Sequence, residues 1–342
     1  MKYIFILLLL FSCKKEIGKE MVKETIVPNT VSIKGSKITY YTYDKNLYVK
    51  DIDEGEIEYS KKVEEVFVFK PILINEKTLI TAFDGNTLGC INIDNGNVKW
   101  EYTFESKIMD IKYFNNKVLI VNIKDYGIVA LDIKGKLIYN ILYDYNICFA
   151  PDTSPYSVFS SEEMLFVSSL NCKTVTAYNI NSGELIWSFK KNFSVLSDVF
   201  YFNNKVFVAI NNYYKEGKLL VLNSNSGKIL YEKGCNIETR LKPVLYKEKL
   251  YYYTFFGSRQ YSSIIEFNTN NFEKKIIYKM TKDNDISGRQ IYKLNDNIFF
   301  NDNKLNIIKL SLNDYNFNIV REDVTNFNGV TYLKNDELFF IN

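Results

Sequence analysis

The feature that most constrains this chain is a glycine that stands four residues before an aromatic residue and recurs five times along the sequence. The pairs are Gly55/Tyr59, Gly96/Trp100, Gly135/Tyr139, Gly183/Trp187 and Gly227/Tyr231. Successive glycines are about 39 to 48 residues apart, and both tryptophans of the chain lie in the aromatic column. A four-stranded propeller blade occupies roughly 40–50 residues, so this period is typical of a repeat architecture built from such blades.

Each repeat contains four short segments that resemble β-strands. They span residues 70–75, 78–83, 87–93 and 98–104 in the second repeat, and residues 108–114, 117–123, 126–133 and 136–141 in the third. Tyr, Phe, Ile, Val and Asn dominate these segments, and no apolar stripe of helical period persists. Hairpin sequences such as Asp84-Gly85-Asn86 separate them. The sequence therefore predicts an all-β chain, a β-propeller of four-stranded antiparallel blades.

The number of blades follows from the outermost strands. Seven such motifs can be counted, from residues 56–60 to residues 316–322, and the last two repeats lack the glycine, with weaker copies near Asn271 and Asn313 to Asp314. One more hairpin follows at residues 329–333 and 337–341. We expect it to pair with the segment around residues 30–33, because ring closure removes exposed sheet edges. Seven blades are predicted, with eight as the alternative.

The repeated pair of residues has a mechanical explanation. Glycine adopts positive φ without steric cost and closes the tight turn into the outermost strand. The aromatic residue four positions later then projects from that strand into the gap between neighbouring blades. We interpret this column as packing and assign no ligand to it.

Three of the repeats carry a recognisable pattern. Residues 176–189 read TAYNINSGELIWSF, residues 89–102 GCINIDNGNVKWEY and residues 219–231 LLVLNSNSGKILY, while residues 129–138 contain Ala-Leu-Asp. They resemble pyrroloquinoline-quinone-type propeller repeats, in which a strand ending in Ala-Leu-Asp leads into a Thr-Gly-Lys-x-x-Trp turn and strand. The resemblance covers most of residues 35–325, strong in blades two to five and degenerate in blades six and seven.

That resemblance implies one of two groups. One is the quinoprotein dehydrogenases, and the other is a set of non-catalytic binding propellers that includes the lipoprotein subunit of the outer-membrane barrel-assembly machinery. The dehydrogenases pair adjacent cysteines near the cofactor and dock a tryptophan beneath it. Here no two cysteines are adjacent and both tryptophans belong to the repeat column. We therefore expect no quinone cofactor, and a protein that is not an enzyme.

The first residues resemble a lipoprotein signal. A short basic start precedes eight apolar residues at 4–11, which are too few to span a bilayer, and Leu-Phe-Ser-Cys at 10–13 resembles a lipobox. The resemblance implies cleavage before Cys13 and lipid on its thiol, with the outer membrane favoured over the inner. An ordinary secretory signal with an incidental Cys13 is the alternative. The predicted organisation is a signal peptide at 1–12, a flexible tether at 13–29 and a single propeller domain at 30–342.

Composition excludes several kinds of chemistry. The chain has no histidine, which rules out a Ser-His-Asp triad, a Cys-His pair and histidine metal ligands. Its 43 basic and 40 acidic residues leave no basic excess for a nucleic-acid interface. No metal or other cofactor is predicted. Two close carboxylates in an enclosed pocket would favour an enzyme of another kind.

Four cysteines lie beyond the signal. Cys90 lies within a strand segment and is predicted to be a small buried apolar residue. Cys148 and Cys172 lie on two loop types that open on the same face of a propeller, so a disulfide between them is a hypothesis for an exported protein. Two reduced thiols are the alternative, and Cys235 on another loop of that face could compete. No Cys-x-x-Cys pair supports a zinc site.

A candidate interaction face combines three of the four arginines with loop tyrosines, a composition typical of protein-binding hot spots and of anion recognition. Its residues are Arg240, Arg259, Arg289, Tyr213, Tyr214 and Tyr261. Solvated arginines on separate loops are the alternative. The favoured function is a monomeric, lipid-anchored envelope platform that binds another envelope protein, in outer-membrane protein assembly. A binding module for a small anionic or sugar ligand is the second hypothesis, and an enzyme of unrecognised chemistry the third.

Overall fold

The computed structural model describes most of the chain from residue 27 onward. The described residues are 27, 30–65, 67, 69–124, 126–142, 157–169, 173–191, 195–196, 199–211, 217–234, 243–254, 263–279, 291–301, 306–321, 331–334 and 337–340. Among these residues all of the secondary-structure elements are β-strands, numbered β1 to β31 in chain order. No helix there is long and apolar enough to cross a membrane.

The strands of the first four blades follow one another in chain order. Blade one contains β1 (Ser32–Lys34), β2 (Lys37–Tyr41), β3 (Asn46–Asp51) and β4 (Ile57–Lys62); blade two β5 (Ile72–Asn75), β6 (Thr78–Ala82), β7 (Thr87–Asn92) and β8 (Val98–Thr103); blade three β9 (Ile108–Phe114), β10 (Val118–Ile123), β11 (Gly127–Asp132) and β12 (Leu137–Leu142); blade four β13 (Ser157–Ser160), β14 (Met164–Ser169), β15 (Thr174–Asn179) and β16 (Leu185–Lys190).

The remaining strands continue the plan. Blade five contains β17 (Val195–Leu196), β18 (Phe200–Phe202), β19 (Lys205–Asn211), β20 (Lys218–Asn223) and β21 (Ile229–Gly234); blade six β22 (Val244–Tyr246), β23 (Lys249–Thr254), β24 (Ser263–Asn268) and β25 (Lys274–Lys279); blade seven β26 (Tyr292–Leu294), β27 (Asn297–Asn301), β28 (Ile307–Ser311) and β29 (Phe317–Arg321); and a last hairpin β30 (Thr331–Lys334) and β31 (Glu337–Phe340).

Each blade is an antiparallel sheet in which every strand pairs with its neighbour along the chain. In blade five the innermost position is divided between β17 and β18, which both pair with β19. Seven sheets are therefore complete, and among the described residues β30 and β31 pair only with each other. The predicted all-β propeller is confirmed, with seven full blades and a two-stranded eighth sheet.

The predicted pairing between the two ends of the propeller is not observed among the described residues. Residues 30–33 were expected to close the ring by pairing with the last hairpin, but Ser32–Lys34 form the first strand of blade one and pair with β2. The reason is local, because Gly35 adopts a φ of 58° and turns the chain back directly into β2. Before this strand, Val27 is buried, and its N–H donates to the carbonyl of Tyr41 at 2.9 Å. The packed part of the chain thus begins by Val27, three residues before the predicted start of the propeller.

Burial follows the position of a strand in its blade. All six residues of β10 are buried, as are all five of β6, because each sheet lies between two neighbouring sheets and both faces are covered. The outermost strands β4, β8 and β12 are mostly exposed. The apolar core therefore lies between the blades, and side chains from blades one to three form one continuous cluster.

The column of glycines closes the turn into each outermost strand, as predicted. All five adopt φ between 66° and 80°. In blade three, the N–H of Gly135 donates to the carbonyl of Asp132 at 3.0 Å, and the Asp132 side chain accepts the N–H groups of Lys134 and Lys136 at 2.8 Å. Such Asx-type bonds mimic a backbone turn and explain why the strand ends in Asp or Asn.

The corresponding position in the last two blades lies one residue beyond the weaker copies read from the sequence. The sequence copies were placed at Asn271 and at Asn313 to Asp314. The left-handed conformation is adopted by Phe272 in blade six, with a φ of 61°, and by Tyr315 in blade seven, with a φ of 60°. Their N–H groups bond back to Asn268 and Ser311 in the same way as the glycines do. Aromatic residues are uncommon at positive φ, and for this reason the sequence does not mark these turns.

The aromatic column fills the seams between blades, which confirms the packing interpretation. A Cβ on Gly135 would lie 2.6 Å from the ring of Trp100, and one on Gly183 would lie 2.5 Å from the ring of Tyr139. Trp100 Nε1 donates to the carbonyl of Ile133 at 2.9 Å, and the Tyr139 hydroxyl to the carbonyl of Ile180 at 2.9 Å. Trp100 and Tyr139 thus each lie over the glycine of the next blade and donate a hydrogen bond to its turn.

Candidate functional site

The antiparallel blades give the propeller two different faces. The turns between first and second strands and between third and fourth strands lie at one end of each sheet, here called the turn face. The loops between second and third strands and the connections between blades lie at the other end, the loop face. This division follows from the strand order of every complete sheet.

All of the residues predicted from the sequence to form a site lie outside the described residues. The lipid attachment site Cys13 precedes the first described residue. The others are in segments whose flanking strands end on the loop face: Cys148, Cys172, Tyr213, Tyr214, Arg240, Arg259, Tyr261 and Arg289. The expectation that these loops share one face of the propeller agrees with the strand order, while the disulfide and the interaction face stay predictions. The competing thiol, Cys235, also lies outside the described residues.

The cysteine in the described part of the chain is Cys90, on β7. Its side chain is a free thiol, 2% exposed, and burial raises its pKa. This confirms the prediction of a small buried apolar residue. No group of three or more possible metal-ligating side chains occurs among the described residues.

Two carboxylate clusters stand out for the number of their partners. In blade one, Asp51 accepts bonds from the Glu54 N–H at 3.0 Å and from Lys37 Nζ at 3.1 Å. These bonds hold the pKa of Asp51 well below its usual range. Lys37 also contacts Glu58, so two carboxylates share one ammonium group. Neither acid lines a cavity described below, and Asp51 is buried, so this cluster is a largely buried ion-pair network within blade one.

The second carboxylate cluster joins blades six and seven. Glu266 is 7% exposed and binds Lys249 Nζ at 2.8 Å, the Tyr251 hydroxyl at 3.0 Å and the Tyr315 hydroxyl at 2.6 Å. Burial alone would raise the pKa of Glu266, but these three hydrogen bonds outweigh it and lower the pKa. Tyr315 occupies the left-handed turn position of blade seven, so this seam is closed by a charged group in place of an aromatic ring over glycine.

The outermost strands present exposed apolar side chains to solvent. In blades three to five two consecutive residues are exposed on each strand, by 40–58%, and they form what we call the apolar arc: Leu137, Ile138, Leu185, Ile186, Ile229 and Leu230. Blades one, two and six expose single apolar residues on these strands, Ile57, Val98 and Ile276, and blade seven exposes Phe317 and Ile319, which are not consecutive. Among the described residues, pairs of consecutive exposed apolar residues are thus confined to blades three to five.

A β-bulge explains how two consecutive side chains come to face solvent. In blades one to five the third strand and the outermost strand shift register by one residue, immediately before the aromatic residue of the column. The extra residue is Glu58, Lys99, Ile138, Ile186 and Leu230 in the successive blades. A bulge redirects the side chains that follow it, which turns the aromatic residue inward and leaves the extra residue exposed. The same position is therefore charged in two blades and apolar in three.

Two adjoining cavities lie on the turn face across blades one to three. The first has a volume of about 650 Å³ and is lined by Lys34, Gly35, Asn75, Glu76, Lys77, Thr78, Asn92 and Lys99. The second, of about 420 Å³, is lined by Ile74, Asn75, Thr78, Cys90, Lys99, Trp100, Ile133 and Lys134. Since Asn75, Thr78 and Lys99 border both, we call the pair the lysine groove. The sequence did not point to it, because its residues come from turns of three separate blades.

The family comparison supports the repeat pattern. The family described as outer membrane protein assembly factor BamB matches residues 171–314, which extend from the third strand of blade four to the turn before β29. The match thus includes blade six and the first three strands of blade seven, where the sequence pattern is degenerate. No curated protein matches the chain.

Solved structures show the same fold at low sequence identity. BamB from Moraxella catarrhalis superimposes with a TM-score of 0.61 and 13% identity, covering 81% of this chain and 82% of that chain. Sqt1 from Saccharomyces cerevisiae gives a TM-score of 0.68 and 11% identity over 93% of this chain and 92% of that chain. The computationally designed protein Ika8 gives a TM-score of 0.64 and 13% identity, covering 95% of this chain and 100% of that chain. The chain is thus a propeller with pyrroloquinoline-quinone-type repeats similar to those of BamB.

Proposed function

We propose that this protein is a non-catalytic propeller of the cell envelope, anchored by lipid on Cys13, that serves as a binding platform in outer-membrane protein assembly. The family that matches residues 171–314 is described by that process, which supports an interaction role over a chemical one. A fold alone does not fix a function. The proposal therefore needs a surface on this chain that a partner protein could cover.

The apolar arc is the observation that carries the proposal. Its six side chains are large, apolar and at least 40% exposed, and they lie on three consecutive blades. Exposed apolar side chains repeated on neighbouring blades favour a protein-binding site, because covering them removes apolar area from water, which contributes about 25 cal/mol of binding free energy per Å². Each outermost strand also has a free edge on its outer side among the described residues.

The bulges indicate how the partner would bind. A strand added to the edge of a blade needs an unbroken row of backbone N–H and C=O groups. In β12, β16 and β21 the bulge interrupts the regular register at Ile138, Ile186 and Leu230. Bulges protect sheet edges from such pairing. The partner is therefore expected to contact the side chains of the arc, and not to extend the sheets.

The loop face supplies a second proposed contact. Arg240, Arg259 and Arg289, with Tyr213, Tyr214 and Tyr261, belong to connections on this face, and arginine with tyrosine is typical of binding hot spots. The arc lies on the circumference, so the two surfaces can be altered independently. The tether at residues 13–29 would let either surface reach a partner at the membrane.

A capture experiment with matched variants tests this function. The lipidated protein is crosslinked in its own envelope and isolated, alongside the triple variant Ile138→Lys, Ile186→Lys and Leu230→Lys. Lysine is tolerated at this bulge position in the fold, since blade two carries Lys99 there. We expect the wild type to capture a defined membrane protein and the arc variant to lose it, because three charges would be buried in the contact.

The control changes charge equally outside the arc. The variant Ile57→Lys, Val98→Lys and Phe317→Lys replaces exposed apolar residues on the outermost strands of blades one, two and seven. It should capture the partner as the wild type does. An Arg240/Arg259/Arg289 triple alanine variant separates the loop face from the arc. Failure of the wild type to capture any envelope protein would contradict the platform, and equal capture by both lysine variants would exclude the arc.

A further inference from the structure

The lysine groove combines a cationic lobe with an apolar lobe. Four lysines line it, Lys34, Lys77, Lys99 and Lys134, against one carboxylate, Glu76. The smaller lobe adds the apolar side chains of Ile74, Ile133 and Trp100. Volumes of 420 and 650 Å³ lie in the range of small-molecule sites, roughly 300–1,000 Å³.

The nearby acidic groups neutralise only part of this charge, and Lys99 is not among the lysines they pair with. Lys77 Nζ is paired with Asp94 at 3.0 Å, and Glu76 Oε1 accepts the backbone N–H of Ser36 at 3.3 Å. Lys99 Nζ donates to the neutral hydroxyl of Thr78 at 2.9 Å, and within the described residues no carboxylate lies within salt-bridge distance of it.

Blade one provides an internal comparison for Lys99. Its bulge residue is Glu58, and the first residue of its second strand is Lys37, so the two positions form an ion pair that Asp51 extends. In blade two the same positions hold Lys99 and Thr78, a cation beside a hydroxyl. One blade thus contains its own counter-ion at this place and the next does not. An ammonium group beside a hydroxyl donor is a suitable pair of ligands for an anion.

We propose that the lysine groove binds a small molecule in which a phosphate or carboxylate group is joined to an apolar or aromatic group. The anionic group contacts Lys99 and Thr78, where the two lobes meet, and Lys34 adds long-range attraction. The apolar group lies in the smaller lobe against Trp100 and Ile133. This site is on the turn face, apart from both the loop face and the apolar arc, so it does not depend on the proposed platform function.

Calorimetric titration of the full chain with three probes tests the two lobes separately. Phenyl phosphate carries both groups, inorganic phosphate only the anion and phenol only the ring. We expect saturable binding of phenyl phosphate at one site, weaker binding of inorganic phosphate and none of phenol. Lys99→Gln should weaken phenyl phosphate about tenfold or more, since a hydrogen bond to a charged group contributes about 1.5–3 kcal/mol. Lys228 is an exposed lysine of blade five, outside the groove, and serves as the control. Lys228→Gln should change the affinity for phenyl phosphate by less than about twofold, because exposed charges interact weakly.

A second readout locates the bound molecule. The chain has two tryptophans, and Trp187 lies 8% exposed in the seam between blades four and five, away from the groove. In a Trp187→Phe variant the remaining indole fluorescence reports on Trp100, and phenyl phosphate should change it with the affinity found by calorimetry. Each of three results would overturn the proposal: no saturable binding of phenyl phosphate, an unchanged affinity for it in Lys99→Gln, or no change in Trp100 fluorescence when it binds. Binding to phosphatidic acid vesicles alone would also overturn it, because the site would then serve a membrane surface.

Discussion

Four of the five glycines of the turn column lie against an aromatic side chain from the preceding blade: Gly96, Gly135, Gly183 and Gly227. The glycine supplies a backbone conformation with φ near 70° and also leaves room for the ring, which no other residue does at once. Trp187 shows the same arrangement, since its Nε1 donates to the carbonyl of Ser224 at 2.6 Å and its ring lies over Gly227. The packing unit is therefore the aromatic residue of one blade together with the glycine of the next blade, and not the glycine and aromatic residue of one repeat.

Two alanine substitutions separate the two roles of the glycine. In Gly55→Ala the new Cβ meets nothing within 4 Å, so the cost is the left-handed backbone alone, about 1 kcal/mol. In Gly135→Ala the Cβ would also lie 2.6 Å from the ring of Trp100, and this overpacking should lower the unfolding free energy by about 1–3 kcal/mol more. Urea unfolding should therefore show a larger loss of unfolding free energy for Gly135→Ala than for Gly55→Ala. Equal losses would contradict the close contact.

Residue-level patterns predicted part of this structure well. The eight strand-length segments predicted in blades two and three agree with β5 to β12 within two residues at every boundary, because turn sequences rich in Asx and Gly mark where those strands end. The positions of Phe272 and Tyr315 were missed by one residue, since nothing in an aromatic side chain signals positive φ. The prediction that residues 30–33 close the ring is wrong, because Gly35 turns the chain directly into the second strand of blade one.

Among the elements of the fold, the seam between blades six and seven differs from the others. In the seam before it, the rings of Phe272 and Tyr231 lie tilted with centroids 5.0 Å apart, so an aromatic ring still packs at the turn position. In the seam between blades six and seven the aromatic contact is elsewhere, between Tyr278 and Phe317 at 4.9 Å. In the next seam the hydroxyl of Tyr315 reaches Glu266 of blade six, and the ammonium of Lys275 lies 4.1 Å from the centre of the Tyr315 ring. A buried carboxylate with three donors replaces the ring over glycine.

This seam should make stability depend on pH. Because the folded-state pKa of Glu266 is lowered, its ionised form contributes stability above the unfolded value near 4.5, and that contribution is lost as the pH falls below it. Glu266→Gln should cost about 2 kcal/mol at neutral pH. The difference in unfolding free energy between wild type and variant should shrink as the pH falls through about 4.5 and below.

Denaturant unfolding at several pH values measures that difference. An exposed glutamate, Glu184, provides the control, and Glu184→Gln should track the wild type across the series. Tyr315→Phe removes one donor from Glu266 and should show a smaller loss with the same pH trend. A difference between wild type and Glu266→Gln that does not change with pH would contradict the account of this seam.

For the whole molecule, the propeller separates three surfaces that serve different purposes. The circumference carries the apolar arc and the turn face holds the lysine groove, while the arginines and tyrosines of the proposed contact are predicted to belong to the loop face. The arc could have been read from the sequence once the bulge was known, because the exposed residue directly precedes the column aromatic. The groove could not, because Lys34 and Lys99 become neighbours only when blades one and two pack together.

The central claim is that an envelope protein covers the apolar arc. Site-specific photo-crosslinking in intact envelopes tests it most directly, with the photoreactive residue placed at Ile186 or, as the control, at Ile57, which is exposed by 52% on the same kind of strand. The account predicts one defined membrane-protein adduct from position 186 and none from position 57. The same products from both positions, or no protein adduct from position 186, would contradict it.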